Sequence, residues 1–115
     1  MKARIGPHEV AIDFSEKLGG TDSAPTPTEL FMMSVAACKL FYAHRFLARR
    51  DVTTDGAKAS ITWESSKTAI ERAKIKVEIP GGIDRELFDD CMVFMSKCFV
   101  ANSVQGGVEL DSELG

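Results

Sequence analysis

Hydrophobic positions recur along this chain with two different periods, and the places where the period changes mark its elements. Val10, Ile12 and Phe14 alternate with Glu9, Ala11 and Asp13, the period-two pattern of a half-buried strand. Ala57, Ala59, Ile61 and Trp63 share one face of a second alternating run. Ala73, Ile75, Val77 and Ile79 share one face of a third. The polar stretch from Ser65 to Thr68 lies between them, which predicts an antiparallel hairpin with a longer loop. Pro80-Gly81-Gly82 ends its second strand, and a final short strand is expected around Val108 to Leu110, after Gly106-Gly107.

Between these runs the period lengthens to that of a helix. Leu18 to Pro27 is turn chemistry, with paired glycines, prolines and small polar residues. Thr26-Pro27-Thr28-Glu29 then reads as a capping box: Thr26 at the N-cap, proline at the first helical position, glutamate three residues on. The helix it opens meets no breaker before about Arg50 and is apolar on nearly all sides, through Leu30, Phe31, Met32, Met33, Leu40 and Phe41. A helix of that kind needs burial all round. A chain of 115 residues has little material with which to surround it, so a second subunit is expected to cover part of it. Asp84 caps a second helix whose apolar stripe runs Leu87, Phe88, Cys91, Met92, Met95 and Cys98. The class is α+β, in a single domain spanning residues 1–115 with no internal repeat.

Composition narrows the function. Apolar residues make up 44% and charged residues 27%, the balance of an ordinary globular chain. Seventeen acidic against fourteen basic residues give a net charge of −3, without the basic field that phosphate neutralisation requires, so nucleic acid is not an expected partner. The strongest apolar stretch, Leu30 to Cys38, is too short to span a bilayer, and the first residues lack the apolar segment of an export signal. Three cysteines, an odd number and well separated, suit a reducing compartment, so a cytoplasmic protein with no membrane association is expected. His8 and His44 show no metal-ligand spacing, and the glycine pairs lack the strand–GxGxxG–helix context of a nucleotide site. Neither a metal nor a cofactor is called for.

The cysteines carry the candidate chemistry. On an unbroken second helix Cys91 and Cys98 stand about 10 Å apart along the axis at 1.5 Å per residue, beyond the reach of a disulfide. A redox pair would therefore join Cys38 to one of the two. Taken singly, each reads equally as a small core hydrophobe.

Read together, GGTDSAPTPTELFMMSVAACKLFY and, about sixty residues later, KCFVANSV resemble the OsmC/Ohr superfamily of osmotically induced and organic hydroperoxide resistance proteins. Cys38 matches the first cysteine of that pattern, and Cys98 to Ser103 match its second segment, with Phe99 in place of the usual proline. The resemblance implies an OsmC-like fold: an antiparallel sheet, a long buried central helix, a second helix and an intertwined homodimer. It also implies a thiol peroxidase in which Cys38 attacks organic or hydrogen peroxide and Cys98 resolves the sulfenate, with a dithiol, lipoyl-type in some relatives, as reductant. Met32, Met33, Phe41 and Phe94 are expected around the substrate. Thr28 stands where peroxidase members commonly carry a carboxylate, which leaves adjacent Glu29, together with Arg4, as thiolate activators; Arg45 is the weaker substitute. The other reading keeps the fold without the enzyme, as a ligand-binding or redox-sensing dimer.

Overall fold

The computed structural model describes residues 1–113. Its elements run β1 (Lys2–Ile5), β2 (His8–Ala11), α1 (Pro27–Ala48), β3 (Lys58–Ser65), β4 (Ile70–Glu78), α2 (Arg85–Met95) and α3 (Phe99–Gly106), with a single 3-10 turn at Glu16–Leu18. The strands form two separate antiparallel hairpins. The chain divides into two compact units, Met1–Ser34 and Val35–Gly115, with the boundary inside α1.

In the first unit β1 pairs with β2 around Gly6, whose φ of 54° makes the turn, in the register Lys2↔Ala11 to Ile5↔His8. The alternation of hydrophobic positions reveals only the second of these strands, and it ends earlier than that pattern suggests. Val10 is exposed, and Ile12 and Phe14 lie beyond the last strand residue. Asp13 is the physical reason. Its carboxylate accepts from the Thr21 and Ser23 hydroxyls, both at 2.7 Å, from their amides at 3.2 and 3.1 Å, and from the Phe14 amide at 2.8 Å. The chain is thus drawn into a closed loop instead of continuing as a strand.

These bonds, from the Ser23 side chain first and the Thr21 side chain second, hold the Asp13 carboxyl well below the usual carboxylate range. A native pKa below the unfolded one means that the unfolded chain binds the proton first as pH falls. The stabilisation is therefore present above about pH 4 and is lost as the pH drops through the native value. Melting curves of wild type and Asp13→Asn are expected to differ at neutral pH and to converge on acidification below about pH 4.

The expected capping box is in place. The Glu29 amide donates to Thr26 Oγ1 at 3.1 Å, and the Thr26 amide donates to Glu29 Oε1 at 3.0 Å. Two of the orphan donors at the start of α1 are thereby satisfied.

Within α1 the buried positions Met32, Val35, Ala36, Ala43, Phe46 and Leu47 fall at three- and four-residue spacing on a single stripe. The helix is not buried all round by its own chain: Phe31, Met33 and Phe41 stay 44%, 44% and 55% exposed. At 22 residues it is also long and apolar enough to cross a bilayer by length and composition, as the core helices of soluble proteins often are. In the second unit its Ala43, Phe46 and Leu47 face packs on Cys91 and Met95 of α2, with Val77, Ile79 and Ile83 alongside. Arg50 closes the helix end, donating to Phe46 O at 3.0 Å with its guanidinium 3.6 Å from the Phe46 ring centroid.

The β3–β4 hairpin has the anticipated face. Ile61 pairs with Ile75, Trp63 with Ala73 and Ala59 with Val77, and all of these but Ala73 are half-buried. Asp84 caps α2, accepting from the Leu87 amide at 2.8 Å.

The chain beyond Asp84 departs from expectation in three ways. The second helix stops at Met95, and the chain turns through Ser96 and Lys97 before α3 begins, so Cys98 lies outside it. Phe88 and Met92 of the expected stripe are exposed. No strand forms at Val108 to Leu110: α3 ends at Gly106, and residues 108–113 are irregular, with Val108 and Leu110 open to solvent.

Candidate active site

Cys38 sits midway along α1, half-buried, on the flank of the stripe that faces the core. Cys98 is wholly buried and occupies the N-cap of α3, with φ −53° and ψ 120°, its Sγ accepting from the Ala101 amide at 3.5 Å. The Cys98 thiol lies within hydrogen-bonding reach of Cys38. Burial pushes the Cys98 thiol up, and its bond to Cys38 pushes the same way. The Ala101 amide and the Lys39 charge pull against that rise. All three cysteines are free.

The pair is asymmetric in a chemically useful way. The half-exposed Cys38 is open to a reagent from solvent, whereas Cys98 is fully covered and kept protonated by its surroundings. The break between α2 and α3 produces this arrangement, because it releases Cys98 from the helix carrying Cys91 and places it at a helix start. Phe99 occupies the first helical position, where proline is tolerated but not required. Its substitution in the Cys-Pro pattern therefore leaves the local geometry intact.

The break also removes the premise that kept Cys91 and Cys98 apart. Their surroundings now distinguish them. Cys91 is buried in the core with Ala43, Phe46, Leu47 and Met95, where burial pushes its thiol up and the Arg50 charge partly offsets this.

Lys39, whose charge acts on the Cys98 thiol, is a residue that sequence reasoning passed over. It follows Cys38, continues the buried stripe of α1, and donates from Nζ to Met95 O at 3.0 Å, tying α1 to the last turn of α2. A signal was available, since Lys39 is the sole charged residue of α1 between Glu29 and Arg45.

The remaining candidates are found in their own local structures. Arg4, on β1, donates from Nε to Gly6 O at 3.0 Å, and Glu29 serves the capping box with Thr26 while Thr28 is exposed beside it. Arg45 lies 5.8 Å from the Phe41 ring centroid on the exposed side of α1. His8 is exposed, and His44 pairs through Nδ1 with Thr54 Oγ1, also at the surface. Among the described residues no cluster of His, Cys, Asp and Glu converges as a metal site.

The residues expected around a substrate differ in burial. Met32 is buried, Met33 and Phe41 are exposed, and Phe94 stacks with Tyr42 and Phe46 at 5.6 and 5.7 Å between centroids. A cavity of about 460 Å³ opens elsewhere in the second unit, between β4 and α2, with Lys39 and Cys91 in its wall.

Residues 20–113 match the family described as OsmC-like protein. No curated protein matches the chain significantly. Among solved structures, an osmotic stress induced and detoxification response protein from Psychrobacter arcticus 273-4 superposes with a TM-score of 0.76 at 20% identity, over 84% of this chain and 72% of its own. An organic hydroperoxide resistance protein OsmC from Legionella pneumophila, also described as a redox protein and regulator of sulfide bond formation, gives 0.64 at 15% identity, over 88% and 77%. At these identities the likeness carries the fold.

Proposed function

Given that the chain belongs to the OsmC-like protein family, we propose that it is a thiol-dependent peroxidase acting on organic hydroperoxides or hydrogen peroxide. The observation that carries this reading is the half-buried Cys38 set against the fully buried Cys98, within hydrogen-bonding reach across α1 and the start of α3.

The chemistry closes in three steps. The Cys38 thiolate attacks one peroxide oxygen and the O–O bond breaks; sulfur is oxidised by two electrons to the sulfenic acid, and the departing alkoxide takes a proton to leave as the alcohol. Cys98 then attacks the sulfenic sulfur, forming the Cys38–Cys98 disulfide and releasing water. A dithiol reduces that disulfide by two exchange steps and is itself oxidised to a disulfide. Lys39 places a positive charge near Cys98, where it partly offsets the burial that holds this thiol protonated. Arg4 and Glu29 are the proposed activators of Cys38 in the first step. The exposed Phe31, Met33 and Phe41 of α1 support a homodimer closed over that helix. A cytoplasmic, reducing compartment fits the free thiols.

Turnover tests the reading. The reduced protein, given cumene hydroperoxide and dihydrolipoamide, is expected to consume peroxide catalytically and in proportion to enzyme. A monothiol at equal thiol concentration should sustain it poorly, because its mixed disulfide does not release intramolecularly. Consumption no faster than the dithiol alone would remove the enzyme and leave an OsmC-like scaffold with a binding or sensing role.

A further inference from the structure

The cavity between β4 and α2 lies apart from the thiol pair. Its wall includes Cys91 but neither Cys38 nor Cys98. About 460 Å³ lies within the roughly 300–1,000 Å³ of ordinary small-molecule sites. Ile75, Val77 and Ile79, on or just after β4, contribute to its wall, as do Ile83 and Met92. The polar side chains in the wall are Lys39, Lys76 and Ser96.

The charges there are unequal in availability. Lys76 is paired with Glu78 at 3.1 Å and is 71% exposed. Lys39 is half-buried, faces no carboxylate in the wall, and spends one of its three N–H donors on Met95 O. Two donors of a partly desolvated ammonium therefore remain for a ligand. No acidic side chain lines the cavity, and nothing in it would recognise a polar body such as a sugar or base. The complement of this wall is one anionic head on an apolar chain.

We propose that this cavity binds an amphiphilic carboxylate of the fatty-acid class, its head on Lys39 and its chain along Ile75, Val77 and Ile79. The site holds whether or not Cys38 reduces peroxides, because it uses neither member of the redox pair.

Calorimetry and methyl NMR with sodium decanoate test it on the intact reduced protein. Saturable binding at one decanoate per chain is expected, with shifts concentrated at the methyls of Ile75, Val77, Ile79 and Ile83. Lys39→Met should weaken decanoate by about tenfold or more, the loss of one charge-assisted hydrogen bond, and Lys39→Arg should restore it. Decanol, which lacks the charge, should bind wild type and Lys39→Met alike. Val77→Phe, which fills the cavity without touching Lys39, should abolish binding of both. Three results would overturn the proposal: no saturable binding, methyl shifts spread outside the cavity, or equal decanoate affinity in wild type and Lys39→Met.

Discussion

Cys38→Ser is expected to reduce peroxide consumption to the uncatalysed background, whereas Cys98→Ser should consume one equivalent and then stop. The two variants separate because the two thiols have different surroundings. Cys38 is the half-exposed sulfur, and a serine hydroxyl at that position neither ionises near neutral pH nor cleaves an O–O bond. Cys98 has no access to solvent, so its loss leaves the first step intact and removes the partner that resolves the sulfenate. Structural damage does not confound the second variant. Cys98 is the N-cap of α3, and serine is among the best residues for that position, its hydroxyl replacing Sγ as acceptor for the Ala101 amide. The measurement is peroxide loss over time alongside dimedone labelling of Cys38, which should accumulate in Cys98→Ser and be absent from Cys38→Ser.

Gly20→Ala is expected to destabilise the fold by about 2 kcal/mol or more, as a small-to-large change at a fully occupied position. A Cβ on Gly20 would lie 2.1 Å from Phe14 O and 2.6 Å from Phe14 C, both backbone atoms, and 2.7 Å from Asp13 Oδ1. The Phe14 carbonyl cannot withdraw freely, because it accepts from the Asp22 amide at 3.0 Å, and the Gly20 amide is itself held by Ser15 O at 3.0 Å. Relief of the clash would therefore open the loop that the Asp13 carboxylate gathers. Its neighbour Gly19 has a different role: with φ 92° it makes a left-handed turn, in open space. Gly106→Ala is the control. That position is helical with nothing within 4 Å of a new Cβ, and alanine there should be neutral or stabilising by up to about 1 kcal/mol. Thermal melts of the three proteins compare the effects directly.

What could be read from the sequence was whatever a local rule states. The Thr26/Glu29 box, the Asp84 cap and the inward face of the β3–β4 hairpin each depend on residue type at short spacing, and each appears as expected. The end of α2 depends on no such rule. Neither proline nor glycine marks it, and cysteine is not a familiar N-cap, so an apolar stripe running through Cys98 looked continuous when the chain turns at Ser96 and Lys97. β1 was hidden because its four residues, all exposed, offer only Ala3 and Ile5 as apolar positions, too short a run to stand out as a strand. The expected all-round burial of α1 followed from composition, but the chain itself covers only one stripe. The identity of the redox partner came from the family resemblance, since spacing left Cys91 and Cys98 equally open. The part played by Lys39 depends on a long-range bond to Met95 O that spacing along the chain does not reveal.

The central claim is that Cys38 and Cys98 form one redox pair. Its most direct test adds one equivalent of cumene hydroperoxide to the reduced protein, blocks free thiols with iodoacetamide after denaturation, and maps all three cysteines by mass spectrometry. The account predicts a Cys38–Cys98 disulfide with Cys91 recovered as the alkylated thiol. Three alkylated cysteines after minutes of exposure, or a disulfide that includes Cys91, would contradict it.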